Sequence, residues 1–396
     1  MAKKSVYMDY NATTPLHPAV KEEMVRSFDL FANASSMHEP GRSARNRVEH
    51  VRQQVAAYIG AQPDEIVFTG GGSESNNTVI KMFTCPGCDE HCVHNDRNEI
   101  ITSAIEHPSV IEAVEYMESM GKKVHFLPVD STGKISTNAM KKVISERTGL
   151  VTVMLANNEI GTLQDVRAIA DLAHASGALV HTDAVQAVGR IPVNVDELGV
   201  DYLSFSGHKF YAPKGIGVLY SRRTKPFCRF LHGGHQQAGR RAGTTNTLCI
   251  IGMGKALEMV VKESEKTNAR VKTLRDRLAS GLADLVPDIH VNGNLDSGLS
   301  NTLNVSFIGA EGEAILLYLD MEGIAVSTGS ACSSGSLEPS HVLLATGVGP
   351  ELAHGSIRFS LGRESTDEDV DYVLEKLPPI MQRVRKMSTV YEGGCR

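Results

Sequence analysis

Short apolar runs recur through the first two thirds of the chain, at 65–69, 99–103, 123–127, 150–155, 178–182, 202–205 and 216–220, each bounded by polar or glycine-containing turns. Runs of this length rich in Val, Ile, Leu and Phe match strands buried on both faces, and the stretches between them are long enough for helices. The pattern predicts an open α/β sheet, mostly parallel, with ligands gathered at the carboxyl ends of its strands. Near residue 258 the texture changes, and Val271, Leu274, Leu278, Leu282 and Leu285 fall on one helical stripe. Beyond it the pattern predicts strands at 301–307, 323–327 and 355–361 and a helix at 313–319. A last helix opens at Thr366, with Asp367, Glu368 and Asp369 complementing its positive end. The expected organisation is a large unit over 15–258 and a smaller α+β unit over 259–396, with residues 1–14 packed on the smaller one.

Composition narrows the class. Of 396 residues, 41% are hydrophobic and 22% charged, an ordinary globular balance. The net charge is −6 with no long basic run, which argues against nucleic acid as a partner. No stretch approaches the roughly 20 apolar residues of a membrane span, and Asp9 and Asn11 interrupt any signal-like apolar start. The seven cysteines are unevenly spaced, a poor disulfide framework that suits a reducing cytoplasm.

Several strand ends carry reactive side chains. Lys209, in Ser206-Gly207-His208-Lys209, follows a strand among small residues, where a lysine can be desolvated and form an imine. A surface charge is the bland alternative. An imine-forming lysine suggests pyridoxal phosphate, which needs an acid for its ring nitrogen, a phosphate cradle and a group over the ring. Asp183 ends an apolar run with Gln186 three residues on; by itself it could equally be a helix cap. Gly70-Gly71-Gly72-Ser73 is a glycine-rich turn before a helix, suited to phosphate or simply to a tight turn. His107 and Asn158 also follow strands, offering an imidazole to stack and an amide to bond a ring oxygen. Cys332 sits among small residues in Ser327-Thr328-Gly329-Ser330-Ala331-Cys332-Ser333-Ser334-Gly335, as a thiol presented for reaction.

In order along nearly the whole chain, these motifs resemble the cysteine desulfurases of the NifS/IscS type, fold-type I pyridoxal-phosphate enzymes of the class-V aminotransferase family. The matches run from Tyr7-Met8-Asp9-Tyr10-Asn11-Ala12-Thr13-Thr14-Pro15, through Glu106-His107-Pro108, Asn157-Asn158-Glu159 and Thr182-Asp183-Ala184-Val185-Gln186. They continue through Arg241-Ala242-Gly243-Thr244 and the Cys332 segment to Ser356-Ile357-Arg358-Phe359-Ser360. The resemblance implies that Lys209 carries the cofactor, Asp183 pairs with its ring nitrogen and His107 stacks on the ring. Gln186 and Asn158 would contact the ring oxygen. Gly72, Ser73, Ser206 and His208 would form the phosphate site, with Thr244 reaching across from the other subunit of a homodimer. Arg358, with Asn158 and Asn11, would bind the carboxylate of L-cysteine; the bland reading of Arg358 is an ion pair between strands. Cys332 would take the sulfur as a persulfide and deliver it, also as a contact to a nascent cluster, to an iron–sulfur scaffold protein or another acceptor. The long Cys332 segment resembles the longer-loop group of the family rather than the selenocysteine lyase-like group.

Two departures stand out. The run Asn33-Ala34-Ser35-Ser36-Met37-His38 has Ala where the family often has Pro, a change of loop stiffness. The segment around Cys85, Cys88 and Cys92, with flanking His94, looks inserted; its spacing suits zinc or an iron–sulfur centre, and equally a solvated loop that contains thiols. Two rivals stay open: another aminotransferase or lyase of the same fold, including a selenocysteine lyase, and a non-enzymatic metal or persulfide carrier built on the Cys85–Cys92 cluster.

Overall fold

The apolar runs are strands. The computed structural model describes residues 4–84, 97–328, 338–388 and 391, so that Cys332 and the Cys85, Cys88 and Cys92 cluster lie outside the described residues. Strand β1 (Val6–Tyr7) precedes β2 (Ile66–Thr69), β3 (Glu99–Ser103), β4 (Lys123–Leu127), β5 (Thr148–Met154), β6 (Leu179–Asp183), β7 (Tyr202–Ser206) and β8 (Gly217–Ser221). The last seven of these form one sheet in the order β2-β8-β7-β6-β5-β3-β4. Only β8 runs against its neighbours β2 and β7; from β7 to β4 every pairing is parallel. Two antiparallel steps return β2 to the direction of β7. The carboxyl ends of β2, β3, β5, β6 and β7 therefore open on one edge, and this edge collects the polar residues. β2, β3, β5, β7 and β8 are buried along their whole length, which is why they read as unbroken apolar runs rather than as alternation.

The C-terminal part contains β9 (Ile289–Asn292), β10 (Thr302–Phe307), β11 (Ile324–Ala325) and β12 (Ser356–Ser360). β12-β10-β9 is an antiparallel sheet, and β11 pairs in parallel with β1. β9 has no counterpart in the sequence reading: it is half-exposed, and its four residues carry too little hydrophobic pattern to stand out. The helix Thr247–Leu285 is 39 residues long and runs through residue 258 unbroken. Its Ile250, Met253, Leu257 and Val260 join the core under the seven-stranded sheet. Its Val271, Leu274, Leu278 and Leu282 join a second core with Leu303, Val305, Ile357 and Phe359, which also takes Val6 and Met8 from the N-terminal segment. Leu285 is 51% exposed, so the buried stripe ends a turn before the expected last leucine. Thr366 caps the final helix Asp367–Met387 reciprocally: its hydroxyl accepts from Asp369 N at 3.2 Å while the Asp369 carboxylate accepts from Thr366 N at 3.1 Å. Among the described residues, no helix is long and apolar enough to cross a membrane.

Candidate active site

Asp183 is the last residue of β6 and is buried at the polar edge. Its Oδ1 accepts from Val185 N at 2.9 Å, the local turn an aspartate makes with its own chain. Its Oδ2 accepts from Asn76 Nδ2 at 2.7 Å, a bond from the helix Gly72–Lys81. Asn76 Nδ2 also donates to Ser109 Oγ at 2.9 Å, which lies 2.9 Å from His107 Nδ1. A hydrogen-bonded string thus runs from Asp183 to His107. His107 caps the helix Pro108–Ser119, its Nδ1 accepting from Ser109 N at 3.1 Å, which leaves the proton of a neutral imidazole on Nε2.

Lys209 ends the single turn Gly207–Lys209 that follows β7. Its ammonium donates to the carbonyl oxygens of Asn11 at 2.5 Å and Ala12 at 2.8 Å. Gln186 Nε2 donates to the same Asn11 carbonyl at 3.0 Å, and its oxygen accepts from Arg190. Asn11 is fixed in turn: its Nδ2 donates to Asn158 O at 3.0 Å and Thr302 Oγ1 at 2.8 Å, and its Oδ1 accepts from Asn301 Nδ2 at 2.9 Å. Arg358, in β12 and 2% exposed, donates from Nη2 to Asp9 Oδ1 at 2.7 Å and from Nη1 to Asn158 O at 3.2 Å. The ion pair is real, yet it uses only part of the fork, because the buried Arg358 Nε has no acceptor among the described residues.

Burial sets the electrostatics. Glu106 is enclosed between the ends of β3 and β5, where Oε1 accepts from Met154 N at 3.0 Å and from the Ser103 hydroxyl, while Oε2 has no partner among the described residues. Burial, reinforced by Asp183, pushes its carboxyl up to about 8. Burial also lowers the His107 imidazole; Asp183 opposes that shift, and Lys209 and His341 add to it. His181 bridges neighbouring strands, with Thr152 Oγ1 at 2.8 Å and Ser204 Oγ at 2.9 Å, and burial pushes it down to about 3. His208 is pushed down to about 4 by burial and then by Lys209 and Lys214. Burial raises Glu159 to about 7 against the opposing effects of Ser340 and Arg358.

The glycine turn is a close-packed cradle. A Cβ on Gly217 would lie 2.6 Å from the backbone of Gly71, and one on Gly72 would lie 2.7 Å from Val185 Cγ2 and 3.7 Å from Ser206 Cβ. The helix starting at Gly72 directs its first amide donors and positive end into this corner. Ser206 is buried there, whereas Ser73 and Thr244 are exposed. His208 Nδ1 is 3.1 Å from Thr13 Oγ1. An anionic group at the helix start, a cationic ring nitrogen at Asp183 and an electrophilic carbon at Lys209 fit these residues, and pyridoxal phosphate supplies all three. Sequence reasoning missed Asn76 as the tie to Asp183, Asp9 as the partner of Arg358, and Glu106. Among the described residues, no group of three or more His, Cys, Asp or Glu side chains is arranged to hold a metal.

The aminotransferase class-V family model matches residues 6–373, and the chain belongs to that family of pyridoxal-phosphate enzymes. It is 47% identical over 387 residues to the cysteine desulfurase IscS of Dictyoglomus turgidum, covering 98% of this chain and 97% of that one. It is 48% identical over 396 residues to a cysteine desulfurase of Gluconacetobacter diazotrophicus, covering 99% and 97%. A solved NifS-like protein superposes with a TM-score of 0.88 at 38% identity, over 96% of this chain and all of the other. The branch of the family is that of the cysteine desulfurases.

Proposed function

We propose that the polar sheet edge converts L-cysteine to L-alanine and leaves the sulfur on Cys332, with the labour divided as follows. Pyridoxal phosphate, when bound, supplies the electron sink that makes protons at Cα and Cβ exchangeable. Lys209 would hold the cofactor, and its amine, when free, would move a proton at Cα of the substrate. Asp183, kept in place by Asn76 and Val185, holds the ring-nitrogen proton. His107 covers the ring, and its Nε2 handles the thiol proton. Gly72, Ser73, Ser206 and His208 hold the phosphate, with Thr244 contributed by the second subunit of a homodimer. Arg358 binds the substrate carboxylate through its guanidinium, whose Nε has no acceptor among the described residues, beside Asn158 and Asn11. The Cys332 thiolate attacks the substrate sulfur: an S–S bond forms, the C–S bond breaks, and its electron pair ends as a C–H bond of alanine. The persulfide then passes to an acceptor, which we take to be an iron–sulfur scaffold protein. A reducing cytoplasm is the compartment this reading implies.

The observation that carries this reading is the meeting, at one edge, of the Asn76-clamped Asp183, Lys209 and an Arg358 with a buried N–H unanswered among the described residues. Alanine formation from L-cysteine by the cofactor-loaded enzyme tests it. Lys209→Ala abolishes alanine release, and Arg358→Lys raises KM about tenfold to a hundredfold, the value of one hydrogen bond to a charged group, with a smaller change in kcat. An unchanged KM in Arg358→Lys removes Arg358 from the substrate site.

A further inference from the structure

Glu74 stands in the first turn of the helix Gly72–Lys81, where the proposed phosphate site needs positive potential. Its carboxylate is held from two directions. Oε2 accepts from Gly70 N at 2.7 Å, and Arg241 donates in a two-pronged fashion, Nε to Oε1 at 2.8 Å and Nη2 to Oε2 at 3.0 Å. Both side chains are largely enclosed, at 17% and 25% exposure, so solvent screens the pair only in part. Arg241 lies three residues before Thr244, in a segment whose Gln237 and Ala238 have left-handed backbone with φ of 52° and 55°. A phosphate ester carries close to two negative charges at neutral pH, and an uncompensated carboxylate in the same helical turn would repel it.

We propose that Arg241 is a positioning residue for the cofactor phosphate: by neutralising Glu74 and tying it to Gly70, it lets a helix start that contains a carboxylate accept a dianion. The two bonds of Arg241 also fix the beginning of the segment that carries Thr244. Glu74 serves the turn by closing on the Gly70 amide, and Arg241 cancels the charge that this closure introduces. This inference rests on the phosphate site described above.

The test reads cofactor binding rather than activity. Full-length wild type, Arg241→Ala, Arg241→Lys, Glu74→Gln and the Arg241→Ala/Glu74→Gln double variant are stripped of cofactor. Each is then titrated with pyridoxal 5′-phosphate and with pyridoxal, following absorbance, and thermal unfolding of the apo forms verifies folding. Arg241→Ala weakens pyridoxal 5′-phosphate about tenfold and pyridoxal by less than about twofold. Arg241→Lys, which keeps the charge, stays near wild type. The double variant recovers most of the affinity, because removing the carboxylate removes the repulsion. Equal loss for both ligands, or no recovery in the double variant, would overturn the proposal and leave the pair with a purely structural role. Failure of Arg241→Ala to fold leaves the decision to Arg241→Lys and Glu74→Gln: the proposal then requires both to bind pyridoxal 5′-phosphate as tightly as wild type. A wild type that binds the two ligands equally well would instead remove the phosphate site itself.

Discussion

Glu106 is the residue whose burial has the plainest consequence. A glutamate titrates near 4.5 when unperturbed, and this one near 8 in the folded chain. Between those values the folded protein keeps a proton that the unfolded chain has released, so this group's contribution to stability falls as pH rises from 4.5 towards 8. Glu106→Gln removes that slope: urea unfolding from about pH 5 to pH 8 gives a flatter profile than wild type, and parallel profiles would mean that Glu106 is already ionised. At this scale the sequence exposed the groups that end strands, Lys209, Asp183 and His107, because a polar residue closing an apolar run stands out. It did not expose their partners. Asp9 and Arg358 are 349 positions apart, and Asn76 and Asp183 are 107 apart, distances at which no periodicity connects two residues.

At the scale of elements, strand existence followed from apolar runs because a sheet covered on both faces leaves its strands no polar side. The strand ends shifted by a residue or two, and one such shift brings Asp183 into β6 rather than leaving it just beyond. The long helix was legible as a stripe, whereas its unbroken passage through residue 258 was not, because none of residues 261–270 is fully buried and they carry no apolar stripe. The contact of β8 with the glycine turn was equally hidden, since it depends on two backbones meeting at Gly217 and Gly71. Gly217→Ala forces that contact apart. It lowers stability by about 1–3 kcal/mol, the usual cost of overpacking, and weakens cofactor binding with it. Gly349→Ala, with nothing among the described residues within 4 Å of the added carbon, serves as the control and leaves both unchanged. Equal melting temperatures for the two variants would refute the close approach.

On the scale of the whole molecule, the site lies where two hydrophobic cores meet. Asp183, His107 and Lys209 come from the edge of the seven-stranded sheet, while Arg358 comes from β12 of the second sheet and Asp9 and Asn11 from the N-terminal segment between them. The chain leading to Cys332 departs from this junction: Ser327 exchanges backbone hydrogen bonds with Arg358 at 2.7 and 3.3 Å. On the far side of Cys332, Ser340 donates to Glu159 Oε2 at 2.5 Å. Both described anchors, Ser327 and Ser340, flank the proposed carboxylate site. The most direct test of the account is to treat the cofactor-loaded enzyme with sulfur-labelled L-cysteine, block free thiols, and map the label by peptide mass spectrometry. Sulfur transfer to Cys332 predicts one extra labelled sulfur on the peptide containing that residue, formed together with alanine and absent from Cys332→Ala. Label on another cysteine, or undiminished alanine formation by Cys332→Ala, would contradict it.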